Sequence, residues 1–136
     1  MSNYLKGKVV VVTGAAGGFG RLIALKSSAL GASVVCSDVD ESTLSLVVQE
    51  AATDRVIGIT ADVTNLKDLQ ELVEGTIERL GRVDVMINNA GIMPLAFYQD
   101  HEKAIEAWHN CIDINIKGVL NGIVAVYDQM ISQGRG

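Results

Sequence analysis

Hydrophobic positions along the chain fall into two alternating patterns: short unbroken apolar runs, and longer stretches with apolar residues three and four apart. Val9-Val10-Val11-Val12 is a run of four β-branched residues that ends at Thr13 and meets the glycine-rich stretch Gly14-Ala15-Ala16-Gly17-Gly18-Phe19-Gly20. Such a run marks a strand covered on both faces, the glycines a tight turn, and the following Leu22-Ile23-Ala24-Leu25 a helix. The helix is predicted over residues 18–30, with Gly31-Ala32 as its stop. A strand over 33–37, a helix over about 41–51 and a strand over 56–61 come next. Leu66, Leu69, Leu72, Val73, Ile77 and Leu80 lie at helical spacing, with Asn65 placed to cap and Gly81 just past the end, so a helix covers 66–80. A fourth strand is predicted over 83–88, and helices near 102–107 and over 110–132. Leading into and along the last of these, Trp108, Ile112, Ile116, Val119, Ile123, Val126 and Met130 make a broad apolar face, read as core packing.

Strands and helices thus alternate, which predicts an α/β fold: a doubly wound parallel sheet with helices on both faces and strand order 3-2-1-4. With 136 residues the chain fits one domain, residues 1–136, and 49% hydrophobic with only 4% aromatic content gives the aliphatic core that a parallel sheet needs. A net charge of −5 without a Lys/Arg cluster argues against a nucleic-acid partner. Cys36 and Cys111 have no metal-ligand spacing and are expected to be buried free thiols. His101 and His109 are read as surface residues of a helix. Residues 1–6 contain no apolar leader and no run approaches the about 18 residues of a spanning helix, so a cytoplasmic protein with no membrane partner is expected.

The glycine stretch has the chemistry of a phosphate site. A helix starting beside Gly18 aims unpaired N–H groups and the positive end of its dipole over the loop, which can hold a pyrophosphate without a lysine. Gly14 permits the sharp exit from the strand, Gly18 lets a ligand approach the backbone, and Gly20 allows close packing behind it. The common G-x-G-x-x-G spacing is absent; Thr13, Gly14, Gly18 and Gly20 spell T-G-x-x-x-G-x-G instead. In this the chain resembles the short-chain dehydrogenase/reductase family. Gly14, Gly17 and Gly20 also fit T-G-x-x-G-x-x-G, the pattern of the longer sugar-nucleotide epimerases and dehydratases, and the loop alone does not choose. Asn88-Asn89-Ala90-Gly91 does, because this run at the end of the fourth strand resembles the second signature of the short-chain family.

Asp38, at the end of the second strand and 18 positions after Gly20, can accept bonds from both adenosine ribose hydroxyls and would repel a 2′-phosphate, so NAD is expected rather than NADP. Gly17 and Val39 stand where NADP-preferring members of the family carry a basic residue. Asp62-Val63 matches a pair that touches adenine in the family, while an Asp at that junction is equally an ordinary helix-capping residue. The resemblance therefore implies a cofactor-binding set of Gly14, Gly17, Gly18, Phe19, Gly20, Asp38, Val39, Asp62, Val63, Asn89, Ala90 and Gly91, and no metal. Asp113-Ile114-Asn115-Ile116-Lys117-Gly118 resembles the segment with the asparagine of the family's catalytic tetrad, at Asn115.

The rest of that tetrad, a serine and a tyrosine four residues before a lysine, is not in the chain: Tyr4, Tyr98 and Tyr127 have no lysine four positions on. The fourth strand would then be an open sheet edge and the final helix would keep an uncovered apolar face, so a piece of a longer enzyme is expected. The resemblance implies the cofactor-binding half of an NAD-dependent oxidoreductase that acts on a small alcohol or ketone and assembles as a homodimer or homotetramer. As written, the chain should not turn over. The alternatives are a non-catalytic NAD-binding module and, less favoured, an epimerase or dehydratase.

Overall fold

A computed structural model of the chain describes residues 4–136. Four parallel strands, β1 (Val9–Thr13), β2 (Ser33–Asp38), β3 (Val56–Thr60) and β4 (Val85–Ile87), lie in the order β3-β2-β1-β4. Helices α1 (Gly18–Ala29), α2 (Glu41–Ala51) and α3 (Leu66–Leu80) make the crossovers. After β4 a long loop and a 3₁₀ turn (Tyr98–Asp100) lead into α4 (His101–Ile112) and α5 (Gly118–Gln133). This is the predicted doubly wound sheet.

The valine run explains its own position. Val11 pairs in register with Val35 on one side and Met86 on the other, so β1 is central. Alternate residues face opposite layers. Val10, Val12, Val34 and Cys36 pack with Ala24, Leu44 and Val47 of α1 and α2, while Val11 and Val35 pack with Leu69, Leu72 and Val73 of α3 and Val126 of α5. Each buried valine contributes about 1.5–3 kcal/mol, and burial on both faces is why the strand shows no polar alternation. Burial also pushes the Cys36 thiol up to about 11, leaving it a spectator in the core.

Three elements differ from expectation. β4 pairs only over Val85–Ile87. The two residues before it are held otherwise: Val83 bonds front and back to the Gln133 amide of α5, and the buried Asp84 accepts from Val9 N–H at 2.8 Å. The last two helices are one continuous run, joined by a π turn over Asp113–Lys117 in which Gly118 N–H reaches back to the Asp113 carbonyl. The apolar stripe is consequently not a packed face throughout, since Ile112, Ile116 and Ile123 are exposed. The packed face is instead Gly118, Gly122 and Val126. The glycines let α5 come close, because a Cβ at Gly118 would stand 2.7 Å from Val63 Cγ2 and one at Gly122 would run into the Asn88 side chain. Cys111 is only half-buried, not enclosed as expected; both histidines are exposed.

Candidate functional site

All four strands end on one edge of the sheet, and β1 and β4 are neighbours whose connections leave in opposite directions. A crevice opens there. Its first wall is the glycine loop. Gly14 turns out of β1 at φ +64°, and a Cβ on it would meet Ala90 Cα at 2.7 Å. Gly18 opens α1 at φ +52° with nothing within 4 Å of where its Cβ would be. Gly20 is the reverse: it is buried, and a Cβ there would stand 2.6 Å from Asn89 Nδ2, 2.8 Å from the Gly14 carbonyl carbon and closer still to Gly14 O. Gly17 is extended backbone and the N-cap of α1, with no side chain to cap the helix and no acidic residue in the first turn. The other crossover helices have both: Asp40 accepts from Thr43 N–H and Glu41 follows it at α2, and Asn65 accepts from Lys67 N–H with Asp68 behind it at α3. Of the three crossover helices, only α1 presents its first N–H groups and dipole uncompensated.

The second wall is locked to the first by side chains. Asn89 donates its amide to the carbonyls of Thr13 (3.0 Å) and Gly14 (3.2 Å), while Thr13 Oγ1 accepts from the N–H groups of Asn89 (3.1 Å) and Ala90 (3.2 Å). The ends of β1 and β4 therefore move as one piece. Gly91 sits close under Asn115, whose amide makes a two-point bond to Ile92, accepting from its N–H and donating to its carbonyl at 2.8 Å each. The Cys111 thiol donates to the same carbonyl at 3.4 Å.

Asp38 is the last residue of β2. Its carboxylate accepts from Ala16 N–H at 3.0 Å and from Asp40 N–H at 3.2 Å, tying it to the glycine loop. Capping of α2 falls to Asp40, whose carboxyl is held down at about 2 by hydrogen bonds from the Thr43 hydroxyl and N–H and the Ser42 hydroxyl. Of the two carboxylates only Asp38 faces the crevice. Asp62 shapes its own turn by accepting from the Thr64 N–H and hydroxyl, and Asn65, not Asp62, caps α3. Both Asp62 and the largely buried Val63 nevertheless line the crevice.

Two adjoining recesses bring together every loop residue singled out in the sequence except Gly20, which lies beneath them. One is lined by Val39, Asp62, Val63 and Ile114; the other by Gly17, Gly18, Phe19 and Asn89; Gly14, Asp38, Ala90 and Gly91 belong to both. Phe19 and Val39 stand out as exposed apolar side chains at the rim, 80% and 64% accessible. Asn115 meets the crevice through Ile92. Sequence reasoning missed Thr13 as the brace partner of Asn89, although it is the first letter of the glycine motif, and it missed Ala61, Ile92 and Ile114, whose apolar side chains carry no signal of a site. The crevice holds two carboxylates and no basic residue. Backbone N–H groups at the start of α1 are the donors available there to an anionic group. Among the described residues no group of three or more His, Cys, Asp or Glu is placed to bind a metal, and no helix is long and apolar enough to cross a membrane.

Fold and site together define a class: a doubly wound α/β domain whose ligand crevice opens where the strand order reverses, beside an uncapped helix start. Comparison with known proteins places it further. The profile of the short chain dehydrogenase family matches residues 8–136, and the chain belongs to that family. It is 42% identical over 137 residues to an uncharacterized oxidoreductase of Listeria monocytogenes, covering 97% of this chain and 53% of the relative. To the 3-oxoacyl-(acyl-carrier-protein) reductase FabG of Thermotoga maritima it is 36% identical over 134 residues, covering 97% and 54%. Among solved structures, a short chain dehydrogenase/reductase from Burkholderia phymatum in complex with NAD superposes with a TM-score of 0.90 at 35% identity, over all of this chain and 48% of that one. The chain spans about half the length of the curated relatives it matches.

Proposed function

We propose that residues 1–136 form the NAD-binding half of an oxidoreductase that moves hydride between nicotinamide and a small alcohol or ketone. The observation that carries this reading is the contrast between helix starts: α2 and α3 are capped and acid-compensated, while α1, beside Gly18, is neither and faces the crevice. An uncapped helix start of this kind suits a pyrophosphate. The open space over Gly18 is where a bulkier residue would intrude on it. Asp38 would take the ribose hydroxyls, its position free because Asp40 does the capping. With a carboxylate there, Val39 beside it and no basic group in the crevice, NAD is preferred to NADP. Asp62 and Val63 would flank the adenine, and Asn89, Ala90 and Gly91 would bound the nicotinamide side. The 35% identical Burkholderia phymatum structure, in complex with NAD, supports the cofactor class.

Nicotinamide, when bound, supplies the hydride acceptor or donor. The chain's own residues then bind, orient and exclude: the glycine loop holds the phosphates, Asp38 orients the adenosine end, and Thr13 with Asn89 keeps the two walls at fixed separation. Asn115 is the one member of the resembled tetrad present, and its amide is fixed to Ile92 at the edge of the crevice. The proton-transfer tyrosine and lysine are not among these residues, so the chain is proposed to bind without turning over. A cytoplasmic location and a homo-oligomeric full-length enzyme are part of the proposal; the second is supported by the exposed Leu120, Ile123, Val124, Tyr127 and Ile131 along α5. Calorimetric titration with NAD and NADP tests the cofactor. Tighter binding of NAD is expected, and tighter binding of NADP would overturn the role given to Asp38.

A further inference from the structure

We propose that Asn121 is a positioning residue for nucleotide binding, holding the Asp62–Val63 wall of the crevice from helix α5. The inference rests on the cofactor reading above. Val63 lies past the end of β3 and before the first turn of α3, so its carbonyl has neither ladder nor helix to receive it. A buried carbonyl left unpaired is costly, and this one is met from across the fold: Asn121 Nδ2 donates to it at 2.9 Å, 58 positions away in sequence. Gly118, one turn earlier on the same helix, lets the backbone approach until Val63 Cγ2 fills the place of its missing side chain. From the other side the turn is tied to α3, where Asp62 N–H donates to Asp68 Oδ2 at 3.0 Å. The turn is thus fixed to two helices, and only the α5 tie reaches Val63 itself. Asn115 and Asn121 stand six residues apart in the same helical run and hold different walls, Ile92 and Val63. Asn121 touches no crevice space; it acts through the backbone that lines it.

The test uses two probes on the 136-residue chain, AMP for the Asp62–Val63 side and inorganic pyrophosphate for the glycine loop, each titrated by NMR chemical shift. Asn121→Ala removes the donor, and Asn121→Leu removes it at nearly constant volume should the alanine variant fold poorly. Val126→Ala, a buried change on the same helix that leaves the Asn121 amide and its bond to Val63 in place, is the control for lost stability. The expected result is AMP affinity weakened by roughly five- to tenfold in the Asn121 variants, the factor one hydrogen bond carries, with pyrophosphate affinity unchanged and both unchanged in Val126→Ala. AMP binding equal to that of the parent overturns the inference. So does an equal loss for both probes, which would make Asn121 a general structural residue. A parent chain that binds neither probe refutes the cofactor reading, and the inference falls with it.

Discussion

Gly20 and Gly18 stand two residues apart in one motif, and the structure gives them opposite work. A methyl group at Gly20 would overlap Gly14 O and sit 2.6 Å from Asn89 Nδ2. Gly14 O is backbone and the Asn89 amide is engaged in bonds to Thr13 and Gly14, so neither can swing away cheaply. Relief requires pushing α1 outward and breaking those two bonds, at about 1 kcal/mol each, on top of an overpacking strain of about 1–3 kcal/mol. Gly20→Ala is therefore expected to destabilise by roughly 3–5 kcal/mol, a large part of the ~5–15 kcal/mol that holds a domain together, and to lower Tm by roughly 10–20 °C. Gly18→Ala meets only open space and carries the strain of a left-handed alanine, about 1 kcal/mol. Its methyl would project toward the crevice, so NAD affinity should fall by about tenfold or more while Tm moves by only ~4 °C. Thermal melts by circular dichroism and calorimetric titration read the two effects separately. Equal Tm losses in the two variants, or full NAD affinity in Gly18→Ala, would refute the division of labour.

Asp38→Ala should weaken NAD by roughly 10- to 100-fold, the range for hydrogen bonds to a charged group, and adding Val39→Arg should raise NADP affinity above NAD; an unchanged NAD affinity on calorimetry would remove Asp38 from the site. At Asp84 burial works against the charge, but the Val9 N–H and Arg82 outweigh it and hold the carboxyl below its usual range. Because the folded carboxyl titrates below the unfolded value of about 3.9, its contribution is full above that value and is lost as pH falls through the folded one. Urea melts from neutral to acid pH should show Asp84→Asn less stable at neutrality and converging on the parent in acid, and parallel curves would contradict this. Asn115→Ala leaves Ile92 N–H without its acceptor, so that amide should exchange with solvent about fivefold faster or more, as hydrogen-exchange NMR would report; unchanged exchange would show that the loop is held by other contacts.

The central strand, the crossover helices and the strand order were legible because each rests on a local signal: the valine run, the 66–80 periodicity, and Asn65 and Gly81 as caps. The π turn was not. It inserts one residue into a helix without a glycine or proline to mark it, and it sends Ile112 and Ile116 to the surface while Gly118 and Gly122 carry the packing. Glycines read as weak helix positions in a sequence, whereas here they are the points of closest approach. The short β4 ladder was hidden too, since apolar Val83 looks like a strand residue and only the fold shows its backbone paired to Gln133. In the crevice, residues that belong to the motifs were found, apolar Phe19, Val39, Val63 and Ala90 among them, while apolar Ala61, Ile92 and Ile114, which belong to none, were not. Asn121 gave no sign at all, because what it holds is a carbonyl far away in the chain.

We propose that the uncapped start of α1 takes the pyrophosphate of NAD while Asp38 takes its ribose. A crystal structure of the chain grown with NAD tests it most directly. Phosphate oxygens are expected within hydrogen-bond reach of the Phe19 and Gly20 N–H groups, with a ribose hydroxyl on Asp38. A nucleotide seated elsewhere, or Asp38 turned from it, would rule out both roles.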